Sequence, residues 1–410
     1  MPGVRRIDEK NSRRLETGLY SRGLLRIGIV APLEEPMANY DVVFEGGGAK
    51  GIAFVGALEV LQQRQHTIRR AIGTSAGAIT ATLCAAGYAP AELLSAIIEK
   101  KDGKPRFTSF MDIPEARDFS PAMQAASLTQ KVLNDINLPG FPEWVEKKID
   151  VALMKELLQH RIYARLFSFI ECGGFYSGRT FLAWMQEKLA AKGIGPNDTL
   201  ADFAAKKKDT DLSMVVSDTT DMEMLVLNNR TAPNVPVAHA VRMSMSIPFV
   251  WQEVIWQQAW GTYMGRAKEG NIVVDGGLLS NFPIRLIAET DANIEQIMGS
   301  ANPNGAGNLG LLIDERLPVP GAANTDKTPE PGSSLRTIKR TSRLVDTMMG
   351  ASDNEAILNF SKYVCRLPAK GYGTLEFDMT EGRREAFLEA ARTAMKNHLG
   401  AAVSATGSGN

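Results

Sequence analysis

The stretch HTIRRAIGTSAGAITATLCAAG, residues His66 to Gly87, decides how this chain folds. His66 to Ile72 reads as a short strand. Ala76 to Ala86 reads as a helix of small residues, closed by Gly87, the residue type favoured just past a helix end. Between them, Gly73-Thr74-Ser75-Ala76-Gly77 fits G-x-S-x-G, the pattern of a serine held on a strained strand-to-helix turn. Gly73 and Gly77 leave room for so sharp a turn, and the helix N-terminus favours negative charge beside Ser75. The pattern also arises by chance, so Ser75 needs partners before it reads as a nucleophile.

Upstream, Tyr40 to Glu45 reads as a buried strand and Gly51 to Leu61 as a helix with Ile52, Val55, Leu58 and Leu61 inward. Between them lies Gly46-Gly47-Gly48-Ala49-Lys50-Gly51. Glycines in such a loop let successive N–H groups converge on one point, which serves a phosphate or an oxyanion equally. Gly46, Gly48 and Gly51 also satisfy the dinucleotide fingerprint G-x-G-x-x-G. That fingerprint expects an acidic residue about 20 positions on to hold the ribose; Arg69 and Arg70 stand there instead. A P-loop is excluded, because Gly51 rather than Ser or Thr follows Lys50.

Far downstream, Asn271 to Val274 reads as a strand running into Asp275-Gly276-Gly277. Ligands in open α/β sheets collect at the C-terminal strand edge, which is where Asp275 is expected. Asp-Gly is also a strong turn pair. The need for a base beside Ser75 favours the chemical reading. The four histidines, His66, His160, His239 and His398, have no motif around them, whereas a carboxylate within hydrogen-bond reach can take a serine proton.

The glycine loop, the Gly73–Gly77 elbow and the late Asp275-Gly276-Gly277, in this order, resemble the patatin-like phospholipases. Val241-Arg242-Met243-Ser244-Met245-Ser246-Ile247-Pro248 resembles the family's helix-to-proline segment, and Asn281 and Pro283 follow as members often show. The resemblance spans roughly residues 40 to 290. It implies a three-layer α/β/α fold with a mostly parallel sheet. It also implies a Ser75–Asp275 dyad that hydrolyses acyl esters of membrane phospholipids, a phospholipase A type reaction. It assigns the oxyanion site to the loop Gly46, Gly47, Gly48 and Ala49, with Gly47, Gly48 and Ala49 as the N–H donors. No cofactor and no metal are implied. The expected partner is a phospholipid membrane surface met peripherally from the cytoplasm. Two further readings stand: a glycine-loop module binding a phosphorylated ligand without hydrolysis, and an enzyme switched on by a protein or small molecule. Met243 and Met245 depart from the smaller residues common in the family.

At 410 residues and 44% hydrophobic content, the chain can hold one large α/β domain with additions. Zero net charge gives no whole-protein field toward nucleic acid or an anionic membrane. Cys84, Cys172 and Cys365 form no metal or redox spacing and read as buried thiols in a reducing compartment. No apolar run is long enough to span a bilayer. Residues 1–39 read as a basic N-terminal extension, for which a role in delivery to another cell stays open.

Around residues 100–165 an insertion carries Phe107, Phe110, Phe119, Phe141 and Trp144, either an entrance cap or a small packed subdomain. Trp251, Trp256 and Trp260 suit an interface or the core. Residues 318–334 read as a linker. Leu335 to Met349 reads as a helix with a basic stripe, Arg336, Lys339, Arg340 and Arg343. Val364 to Leu367 and Thr374 to Met379 are expected as strands, Glu381 to Leu399 as a docking helix, and the tail from Gly400 as disordered.

Overall fold

The computed structural model describes residues 37–119, 159–300, 306–322, 347, 353–374 and 376–407, with side chains to 401. Strand β1 (Asn39–Phe44) leads through the glycine loop and a 3-10 turn, Gly48–Ile52, into α1 (Ala53–Gln63). β2 (Thr67–Thr74) ends at the serine turn, and α2 (Ala76–Ala86) leaves it, closed by Gly87 at φ +94°. Then come α3 (Pro90–Ile97) and the small hairpin β3 (Lys100–Lys101) with β4 (Lys104–Pro105). Later in the chain lie α4 (Arg161–Cys172), β5 (Gly174–Tyr176), α5 (Arg179–Ala190) and α6 (Leu200–Lys206).

β6 (Asp211–Asp218) and β7 (Glu223–Leu227) form an antiparallel pair. α7 (Val237–Ser244), β8 (Phe249–Trp251) and β9 (Val254–Ile255) follow. β10 (Thr262–Tyr263) and β11 (Arg266–Ala267) form a hairpin before β12 (Ile272–Asp275). Last come α8 (Arg285–Ala288), α9 (Ala292–Met298), β13 (Gly307–Pro318), α10 (Asn354–Asn359), β14 (Val364–Lys370) and α11 (Glu381–Gly407).

One sheet runs β14-β13-β1-β2-β6-β12-β9, with β7 also on β6. The five strands β14 to β6 are parallel. Their side chains alternate between two cores, as the strand period of two requires. Val42, Phe44, Ala71, Leu311 and Ile313 join a core with α1, α2, α5, α7 and α11. Val43, Ile72 and Leu312 join a second core with residues of α8, α9 and α10. This is a three-layer α/β/α fold. Burial on both faces explains continuous apolar runs such as Val42–Phe44 and Leu311–Ile313 in the parallel strands. At Gly56 of α1 the backbone of α11 comes so close that an added Cβ would stand 2.5 Å from the Leu388 carbonyl oxygen.

Two C-terminal expectations are corrected. The described residues among Thr374 to Met379 form no strand; Tyr372 instead stacks on Phe387, and Arg383 bridges to Glu376, so this segment folds against α11. The final helix does not stop before Gly400 but continues to Gly407. Phe141, Trp144, the linker beyond Ala322 and the basic stripe at Arg336 to Arg343 lie outside the described residues. Phe110 and Phe119 are buried, and Phe107 packs on Phe110 and Trp184. Trp251, Trp256 and Trp260 are also buried, so they serve the core rather than an interface.

Candidate active site

The register of β6 sets the site. Its consecutive residues Val215 and Val216 pair with Thr74 of β2 and Asp275 of β12. The same two residues pair with Val226 and Leu225 of β7. With β7 on one edge, β2 and β12 must share the other and meet end to end. Ser75 follows Thr74, so it arrives against Asp275. The edge argument for Asp275 needs correction. β12 runs antiparallel to β6 and starts from the C-terminal edge of the parallel strands. At four residues it is short enough for its last residue to stop level with the end of β2.

Ser75 sits at φ +54°, ψ −121°, a conformation that non-glycine residues rarely adopt and that marks stored strain. Several contacts hold it there. Its N–H donates to Ser244 Oγ (3.0 Å), and that hydroxyl donates to the Val215 carbonyl (2.7 Å). Its own carbonyl accepts from the N–H groups of Ala78 and Ile79, starting α2. A Cβ on Gly73 would stand 2.2 Å from the Gly77 backbone, and one on Gly77 would stand 2.1 Å from the Phe44 carbonyl. Both glycines are therefore demanded by close approach.

Asp275 is fully buried. Its N–H donates to the Ser246 carbonyl (2.9 Å), and its Oδ1 accepts from Gly277 N–H (2.8 Å). Burial pushes its pKa up to about 7, while the neighbouring Ser75 hydroxyl and the Gly277 N–H pull it down. The hydroxyl lies beside the carboxyl without completing a hydrogen bond, and Oδ2 has no partner. A loose contact of this kind is common before substrate tightens a site.

In the glycine loop the four expected residues divide. Gly46 N–H donates to the Asn281 carbonyl (3.0 Å) and Ala49 N–H to the Thr374 carbonyl (2.8 Å), so neither is free as a donor. The N–H groups of Gly47 and Gly48 make no hydrogen bond to the described residues. Gly48 adopts φ +57°, and a Cβ there would stand 2.3 Å from the Thr374 carbonyl oxygen. Asn281 grips Gly46 from both sides, because its Nδ2 also donates to the Gly46 carbonyl (3.0 Å) and to Glu45 (3.3 Å). We predict that Asn281→Ala lowers kcat about tenfold with little change in KM and costs roughly 1–3 kcal/mol of stability. Steady-state kinetics and thermal unfolding test this, and an unchanged kcat would remove Asn281 from the site.

Ser244, Ser246, Asn281 and Thr374 reach the site from distant segments. Only the helix-to-proline segment and Asn281 had any sequence signal, and it carried no role. Burial raises Glu45 to about 8 against the opposing pull of Ile313 N–H and Lys50. Lys50 is buried and paired with Glu315. Among the described residues, the one carboxylate group with metal-ligand spacing is Asp218, Asp221 and Glu223. The buried Lys268 ammonium fills it, at 2.8 Å from Asp218 and 2.6 Å from Asp221. A cation there would have to displace Lys268.

The comparison with known families settles membership. A model of the patatin-like phospholipases matches residues 42–288. This chain belongs to the patatin-like phospholipase family. The family is one of lipid acyl hydrolases, and the match covers the glycine loop, the serine turn and the Asp275 strand. A Bacillus subtilis (strain 168) protein, the uncharacterized protein YqhO, is 30% identical over 361 residues, covering 86% of this chain and 95% of that protein. Among solved structures, VipD from Legionella pneumophila shares 17% identity at a TM-score of 0.46, over 89% of this chain and 67% of VipD. The type III effector ExoU shares 17% identity at a TM-score of 0.39, over 89% of this chain and 53% of ExoU. Among the described residues no helix is long and apolar enough to cross a membrane.

Proposed function

We propose that this patatin-like chain is a serine carboxylic ester hydrolase of phospholipase A type, working through a Ser75–Asp275 dyad at a membrane surface. The observation that carries the reading is the Ser75 hydroxyl lying beside the buried Asp275 carboxyl, whose Oδ2 is unpartnered. The free N–H groups of Gly47 and Gly48 in the adjoining loop support it. In the first half-reaction Asp275 Oδ2 takes the Ser75 proton as Oγ bonds to the ester carbonyl carbon. The carbonyl pair moves onto oxygen, where the Gly47 and Gly48 N–H groups stabilise it. Collapse expels the lyso-lipid alkoxide, which takes the proton from Asp275. Water then gives a proton to Asp275 and its oxygen to the acyl carbon. The fatty acid leaves and Ser75 recovers its proton.

The phosphate-binding alternative is disfavoured by charge. The two acids beside the loop, Glu45 and Asp275, offer a phosphate no positive charge, and Lys50 is committed to Glu315, so an incoming phosphate would find no free cation there. A fluorophosphonate probe should label the wild type and leave Ser75→Ala unlabelled. Mixed phospholipid vesicles should yield fatty acid and lyso-lipid, read by mass spectrometry, with the wild type alone. Equal labelling of both proteins would refute Ser75 as nucleophile.

A further inference from the structure

α4 carries apolar residues on both faces. Tyr163, Ala164 and Phe167 are buried, with Phe167 against Phe119 at 4.8 Å between ring centroids. On the other side Ile162, Leu166 and Ile170 follow at intervals of four and are 76%, 46% and 50% exposed. Spacing of this kind keeps the three side chains on one helical stripe. A helix facing water on one side carries polar residues there, so this second apolar face needs an explanation.

The stripe continues onto β8. Phe249 pairs in register with Gly174 of β5, directly after α4, and its ring lies 6.0 Å from that of Phe169. Phe249 is 46% exposed and sits at φ +68°, a costly conformation for an aromatic residue. It stands three residues after Ser246, whose carbonyl holds the Asp275 N–H. That length of chain reaches at most about 10 Å. The Phe249 end of the patch therefore lies within about 10 Å of the segment that holds Asp275. Arg161 is exposed at the N-terminal end of α4, and beside Leu166 the half-buried Arg165 holds its guanidinium 5.6 Å from the Tyr176 ring centre.

We infer that the Ile162–Leu166–Ile170 face of α4, with Phe249, is the surface through which this protein enters the interface of an anionic phospholipid membrane. Resting on the proposed acyl hydrolysis, this deepens it by naming the face turned toward the substrate. Four side chains offer a few hundred Å² of apolar surface, the size of a functional patch, while a standard protein–protein interface takes about 800 Å² from each partner. Interfacial insertion has no such threshold: aliphatic and aromatic tips enter the headgroup boundary, and nearby cations add attraction to anionic lipid.

The test uses the full chain and vesicles of phosphatidylcholine containing phosphatidylglycerol, with binding read by co-sedimentation. Replacing Ile162, Leu166 and Ile170 together by Gln should weaken binding at least tenfold. Melting temperature and hydrolysis of a soluble p-nitrophenyl ester should not change. Ile162→Trp should tighten binding, a gain that damage to the fold cannot produce. Unchanged vesicle binding in the triple variant overturns the inference. A fall in melting temperature overturns it by showing that the face packs on another segment of this chain. Loss of a dimer in sedimentation overturns it in favour of a second copy. A wild type that binds vesicles through this face yet hydrolyses no ester would keep the docking surface and refute the enzymatic reading.

Discussion

Asp275→Asn is expected to reduce ester turnover by on the order of 10³–10⁴-fold while leaving the protein folded. The amide keeps the acceptor for Gly277 N–H, so the local backbone stays in place. What disappears is the atom that takes the Ser75 proton, and no second base is proposed. The pH dependence follows from the raised pKa. Asp275 must be ionised to act, so wild-type kcat/KM should climb through about pH 7 and level off above it. Stability runs the other way. The folded pKa of about 7 lies above the ordinary aspartate value of 3.8, so Asp275 supplies stability that is fully present below about 3.8. That stability is lost as pH rises through 7. The substituted amide is neutral throughout. The variant should melt several degrees above wild type at pH 8 and show no such gain at pH 4. Normal turnover in Asp275→Asn would sink the dyad, and a lower melting temperature at pH 8 would sink the account of why Asp275 is poised.

What the sequence made legible was local. The strand before the glycine loop, the turn at Ser75 and the α2 boundary at Gly87 rest on turn chemistry written within a few residues. The juxtaposition of Ser75 and Asp275 was less legible, because it depends on β12 running antiparallel and meeting β2 along one edge of β6. No periodicity within Asn271–Asp275 encodes the direction of its neighbour. The division of the glycine loop was hidden for a related reason. Gly46 and Ala49 lose their N–H groups to carbonyls of Asn281 and Thr374, which are remote in sequence. Ser244 is similar: a hydroxyl that bonds backbone from afar leaves no pattern.

The misplaced aromatics teach a separate lesson. Tryptophan suits a membrane interface and a core alike, and here Trp251 and Trp256 donate their indole N–H groups to the Phe110 and Gly261 carbonyls. Once that polar handle is satisfied internally, the ring gains most by burial. An exposed apolar stripe falls instead on α4, where aromatic residues fill the buried face and aliphatic ones the exposed face, and sequence composition alone gave no reason to separate them.

Gly77→Ala should destroy activity and destabilise the protein by about 2 kcal/mol or more, whereas Gly87→Ala should cost about 1–2 kcal/mol and spare activity. Gly77 sits in the first turn of α2 and Gly87 just past its end, and they are required for opposite reasons. Gly87 sits at φ +94° with nothing within 4 Å of an added Cβ, so alanine there meets only backbone strain. Gly77 has no positive φ, but its Cβ would stand 2.1 Å from the Phe44 carbonyl oxygen and 2.7 Å from that of Glu45. Both are backbone atoms at the end of β1, where the glycine loop begins, and they cannot swing aside as a side chain tip would. Relief requires α2 and the β1 terminus to separate, which moves Ser75 away from Gly47 and Gly48 together with their N–H groups. A displacement near 1 Å can cost about a hundredfold in rate. Thermal unfolding with soluble-ester kinetics on both variants decides the matter. An active, stable Gly77→Ala would mean that the glycine loop and the serine turn tolerate separation, and the oxyanion geometry proposed for them would have to be abandoned.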